Sequence, residues 1–187
     1  MSKYTTIQNI EEYLKKPIPD ISKPQVNVWI DAVGKYIDRT TGRTFIASEP
    51  LVKKYDGKGW NSLFIDEAVE VKKVTVGETE IPIIDCLFYP SNEIPKTRIL
   101  LTGHLFNKGN QNIEIKARWG YSTNCPSDIT LAATIMVAGI INFSGEAQDN
   151  VKSEKLADYS VTYKDQVGWV ELDGAKQIIR SYTKISI

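Results

Sequence analysis

One apolar run constrains this chain more than any other. It extends from Cys125 through Pro126-Ser127-Asp128-Ile129 to Ile140-Ile141-Asn142-Phe143. Pro126 suits a first helical position, where its missing N–H costs nothing, and Asp128 places negative charge at the favoured end of the helix dipole. Ile129, Ala132, Ala133, Met136, Val137, Ile140 and Ile141 follow the three-and-four spacing of a buried face. Leu131, Ile135 and Ala138 make the second side only weakly polar, so the run predicts a helix covered on most sides. Asp128, Thr130, Thr134 and Asn142 interrupt it too often for a membrane span. The expectation is a central core helix with the rest of the chain packed around it.

Shorter helices are predicted on both sides. Thr6 is placed to cap a helix whose apolar face is Ile7, Ile10, Tyr13 and Leu14, ended by Pro17 and Pro19. Ser22-Lys23-Pro24-Gln25 reads as a capping box, with Ile21 and Val26 as its hydrophobic staple. That second helix buries Val26, Trp29, Ile30, Val33, Tyr36 and Ile37 and stops at Gly42. Asp173 is read as the cap of a last helix with Ala175, Ile178, Ile179 and Tyr182 on its apolar side.

Between residues 51 and 120 the pattern changes to short alternating runs cut by prolines. Leu51 to Tyr55, Ser62 to Ile65, Val69 to Val76 (with a slip at Lys72-Lys73), Ile81 to Ile84, Leu87 to Tyr89, Arg98 to Leu101 and Asn112 to Trp119 read as strands. Asp56-Gly57-Lys58-Gly59 reads as a hairpin turn between the first two. The predicted fold class is α+β: a helical bundle of N- and C-terminal helices around the long central helix, carrying a small inserted antiparallel β module. The predicted domains are 1–50 with 121–187 for the helices and 51–120 for the insert.

Chemistry is hard to place on this chain. His104 is the only histidine, and Cys86 and Cys125 have no metal-ligand spacing, so neither a metal nor a cofactor is expected. A loop His104 with no nucleophile to serve makes a weak hydrolase. Asp56-Gly57-Lys58-Gly59 lacks the frame of a phosphate cradle. The two cysteines read as free thiols of a reducing compartment. No apolar run follows Lys3, so no signal peptide is visible and an intracellular product is expected. Lys plus Arg equals Asp plus Glu at 23 each, without the basic excess of a general nucleic-acid binder. Lys176, Arg180 and Lys184 form a basic stripe that fits either helix-dipole complementarity or a protein partner. Trp29, Trp119 and Trp169 read as core, and Trp60 as an exposed residue suited to an interface.

The order of these elements resembles the head–tail connector (head-completion adaptor) proteins of long-tailed bacteriophages. Three stretches carry the resemblance. They are Ile37-Asp38-Arg39-Thr40-Thr41-Gly42-Arg43-Thr44-Phe45 with Tyr55-Asp56-Gly57, Ile113 to Tyr121 running into Pro126-Ser127-Asp128-Ile129, and Ser153 to Tyr163. The resemblance implies a non-enzymatic virion protein. It would form a ring under the portal, dodecameric in the family, extend the DNA channel, and link the head to a tail-side completion or tail-terminator protein. DNA would pass without specific binding, no membrane would be involved, and assembly would take place in the host cytoplasm. Candidate ring-interface residues are Glu154, Lys155, Asp158, Tyr159 and Tyr163. Candidate portal contacts are Ile178, Ile179, Tyr182, Lys184, Ile185 and Ile187. The alternative is a ligand- or carbohydrate-binding β module of a phage tail or baseplate, using Trp60, Phe64, Phe88 and Tyr89.

Overall fold

A computed structural model describes residues 4–146 and 167–184. They fall into two compact units, one within Met1–Gly42 and Ser127–Ile187, the other Arg43–Pro126.

The first unit is helical. Helix α1 (Ile7–Leu14) starts where Thr6 accepts the Asn9 N–H through its side chain, as the sequence predicts. Helix α2 (Lys23–Thr41) ends at Gly42, whose φ of 67° is the left-handed conformation glycine tolerates best. Its start differs from expectation. Ser22 has helical backbone angles and makes no capping bond, because it closes a 3-10 turn, Asp20–Ser22. Lys23 pairs with Asp20 there at 2.6 Å, and Ile21 is 92% exposed, so no hydrophobic staple forms. Helix α3 (Ser127–Glu146) is the predicted apolar helix. It packs against α1, α2 and α4 (Val167–Ser181). Ile129, Ala132, Ala133 and Val137 are buried, and so are Thr134 and Ala138 from the side expected to be less covered. Thr134 is accommodated because its hydroxyl donates to Thr130 O and meets Thr5 Oγ1 at 2.6 Å. By length and composition Ser127–Ser144 also passes for a membrane span, and a third of that window is buried inside the protein. Helix α4 begins six residues before Asp173, which therefore lies inside it and does not cap it.

The second unit is a six-stranded antiparallel sheet: β1 (Leu51–Gly57), β2 (Ser62–Val76), β3 (Thr79–Ile81), β4 (Cys86–Tyr89), β5 (Lys96–Leu101) and β6 (Gly109–Trp119). The strand order is β1-β6-β2-β5-β4, with β3 on β2. Strand β2 merges two runs that read separately in the sequence. Its first part pairs with β5 and its second with β6, and the register shifts between Val71 and Lys73, where the alternation slips. The Asp56–Gly59 stretch is not a hairpin turn, because β6 lies between β1 and β2. Gly57 instead donates its N–H to Asn112 Oδ1 at 3.0 Å, and Asp56 Oδ1 accepts from Gln111 N–H at 2.6 Å. A Cβ at residue 57 would lie 1.8 Å from Asn107 O, which explains the glycine. The sheet curls until Lys53 and Tyr55 of β1 reach Asp66 of β2.

The expected helical bundle with a small insert is thus overturned. Four helices and a six-stranded sheet share the described residues, and the protein as a whole is not organised around α3. The physical reason is that the sheet closes a core of its own. Leu63, Ile65, Val74, Ile99, Phe106, Ile113, Ile115 and Trp119 fill it, so the strands need no cover from a bundle.

Candidate functional site

Of the residues singled out for assembly, Glu154, Lys155, Asp158, Tyr159, Tyr163, Ile185 and Ile187 lie outside the described residues. The other four sit at the end of α4. Ile179 is 1% exposed and belongs to the core of the helical unit, while Ile178 and Tyr182 are half-buried. The Tyr182 hydroxyl donates to Asp128 Oδ2 at 2.8 Å. Lys184 follows, its N–H donating to Thr41 O at 2.9 Å beside Gly42. The chain therefore leaves α4 along a fixed path at the α2 C-terminus and the α3 N-terminus. Of the basic stripe, Lys176 lies 3.4 Å from Asp173 and Arg180 is exposed.

The entry segment of the β unit is fixed just as firmly. Arg43 forms an ion pair with the buried Glu67 and lies over the Tyr121 ring, 5.0 Å from its centroid. Thr44 O, Ala47 N–H and Ser48 N–H then bond to Tyr121, Ser122 and Trp119. Trp119 itself is 5% exposed, donates its indole N–H to Leu51 O, and lies under Lys53.

On the outer surface of the sheet the residues sort into two kinds. Residues directly opposite on neighbouring strands share a face. Around β6 that outward face is charged, with Lys54 opposite Glu114 and Glu70 opposite Arg118. Around β5 it is aromatic and aliphatic, with Phe64, Arg98 and Tyr89 in one row and Ser62, Leu100 and Leu87 in the next. Arg98 stacks on Tyr89 with its guanidinium carbon 4.5 Å from the ring centroid. Phe64 is 74% exposed and Leu87 46%. An open depression of about 440 Å³ runs beside β4 between Cys86 and Lys96. The sequence shows these residues as members of separate short runs, and nothing in those runs reveals that three strands bring them together.

Titratable groups give little that could drive a reaction. His104 Nε2 lies 3.5 Å from Asp85 Oδ2, both partly exposed. Among the described residues no group of three His, Cys, Asp or Glu side chains is arranged to hold a metal. Burial pushes the Cys86 thiol up to about 11, with nearby Asp85 adding to it. Burial also pushes Tyr55 up to about 12, and the Asp66 carboxylate adds to the shift while its backbone N–H opposes it. Both shifts keep their groups neutral and inert at neutral pH. Trp60 is 63% exposed at the tip of the β1–β2 connection, with Lys58 Nζ 5.8 Å from its ring centroid. Phe64 and Tyr89 share one face, but Phe88 is packed against the core on the other, so the four aromatics of the ligand-binding alternative do not form one platform.

No family model matches the chain, and no curated protein matches it significantly. Solved structures do. A chain in the neck of an empty gene transfer agent (GTA) particle, computed with C6 symmetry, superimposes with a TM-score of 0.61 at 11% identity, over 97% of this chain and 90% of that one. A chain in the neck of the native particle, computed with C12 symmetry, gives 0.58 at 11% identity, over 97% and 89%. The virion of the native particle contains a chain that gives 0.56 at 12% identity, over 97% and 90%. Helical unit and sheet together therefore have the fold found in the neck of a phage-like virion particle.

Proposed function

We propose that this protein is a structural component of a head–tail neck. Copies form a ring beneath the portal, extend the DNA channel and link the head to a tail-side completion or tail-terminator protein. The reading assigns the chain no catalytic activity and places it in the virion after assembly in the host cytoplasm. One observation carries it: the likeness to neck chains spans 97% of this chain, so both units are included. The C6 and C12 symmetries of those structures support a ring of identical copies, dodecameric by the resemblance stated above. Balanced charge, with 23 basic and 23 acidic residues, fits a channel wall that lets DNA slide without gripping it. In this reading the C-terminal residues 183–187 contact the portal.

Electron microscopy of the protein mixed with purified portal tests the proposal. Rings stacked coaxially on the portal are expected, and deleting residues 185–187 weakens the attachment. Portal particles that remain bare at saturating protein would overturn it.

A further inference from the structure

Two patches on the β unit complement each other. The first is centred on Arg98. Its guanidinium is half-buried and held against Tyr89, with Phe64 directly opposite on β2 and Leu87 in the next row. Among the described residues no carboxylate forms an ion pair with it, whereas Lys53, Lys54, Lys72 and Lys73 of the same sheet each have one. A stacked guanidinium is already oriented for a carboxylate, and an apolar surround that excludes water strengthens such a pair. The second patch is Glu49 with Leu51, the first residue of β1. Glu49 is exposed and forms no ion pair among the described residues; Leu51 is 57% exposed. Strands β1 and β4 end the strand order on opposite sides, and each patch lies toward one of these ends.

We infer that the two patches are the halves of one contact between copies of this chain: Arg98, with Phe64, Leu87 and Tyr89, receives Glu49, with Leu51, of the next copy. The inference rests on the ring reading above. Charge complementarity makes a second copy the fitting occupant: Glu49 is an exposed carboxylate that, like the Arg98 guanidinium, has no ion-pair partner among the described residues. Two different patches that match each other give a head-to-tail contact. Each copy then keeps one patch open for a third, and the series becomes a ring where the rotation from copy to copy closes.

Charge exchange tests the pairing, read by sedimentation velocity on the full chain. Arg98→Glu and Glu49→Arg each set like charges against each other, and self-association is expected to weaken at least tenfold in either variant alone. In an equimolar mixture the two variants alternate around the ring. At one contact the introduced carboxylate of the first variant meets the introduced guanidinium of the second, and at the next contact the native Arg98 and Glu49 meet. The mixture is therefore expected to assemble like the wild type. Circular dichroism and urea midpoints matching the wild type separate this effect from misfolding. Wild-type rings with undiminished rings in both single variants overturn this interface and leave the neck reading standing. The interface is also overturned if the folded variants fail to assemble when mixed. A wild type that forms no ring, alone or on portal, overturns both.

Discussion

The hydroxyl of Tyr182 donates to Asp128 Oδ2 at 2.8 Å and so ties the end of α4 to the first turn of α3 across 54 residues of sequence. Asp128 thereby serves two ends at once. It sits where the α3 dipole favours a negative charge, and it receives the aromatic side chain that follows α4 directly. Removing the hydroxyl in Tyr182→Phe is expected to lower stability by about 1.5 kcal/mol, the low end of the scale for a bond to a charged acceptor. Urea unfolding checks the value, and an unchanged midpoint would show that the bond contributes nothing net.

The Arg43–Glu67 pair is the electrostatic centre of the β unit, with side chains 20% and 8% exposed. Arg43→Ala leaves a buried carboxylate without this cation and is expected to cost about 3 kcal/mol. Lys54→Ala breaks the Lys54–Glu114 pair, whose side chains are 55% and 45% exposed, and is expected to cost under about 0.5 kcal/mol. Comparing the two melting curves tests whether burial sets the difference.

Gly120 has a φ of 149°, and a Cβ there would lie 2.7 Å from Ala47 Cα and 2.9 Å from Ala47 N. Neither contact is a flexible side chain, and residues 44–48 are held by backbone bonds to 119–122. Gly120→Ala is expected to destabilise the protein by about 2 kcal/mol. Gly59 has a φ of 82° but open space around it, so Gly59→Ala meets only the conformational penalty and is expected to cost about half as much.

Alkaline pH should weaken the β unit. Tyr55 is raised from its ordinary 10.0 to about 12, and Cys86 from 9.0 to about 11. The folded chain therefore keeps both protons where the unfolded chain loses them. Their contribution is complete below about pH 9 and is lost as pH rises toward 12. The urea midpoint is expected to fall between pH 8 and pH 10.5, and Tyr55→Phe should reduce the part of the fall that lies above pH 10. At pH 8, a thiol reagent is expected to modify Cys86, which is 5% exposed, only at the rate of unfolding.

Local features were legible in the sequence because local forces set them. The spacing of Ile129, Ala132, Ala133 and Val137 identified α3, Thr6 and Gly42 marked helix ends, and Ile113, Ile115 and Ala117 marked the inward face of β6. Where a non-local partner competed, the reading failed. Ser22 has a good capping side chain, yet the turn that starts at Asp20 draws it into helical geometry. Asp56-Gly57-Lys58-Gly59 has hairpin chemistry, yet β6, more than 50 residues away, takes the place between β1 and β2.

The sequence by itself thus determined the four helices and most of the strand segments, though not that β2 is one strand or that Ile83–Asp85 is a 3-10 turn, and that the chain bears equal positive and negative charge. Tertiary structure alone decided how the strands are ordered, that the sheet has its own core, and that Arg98 meets Tyr89 beside Phe64. Helical periodicity and strand alternation are written within a few residues of chain. Strand pairing is settled by burial between segments far apart, and no single segment records it.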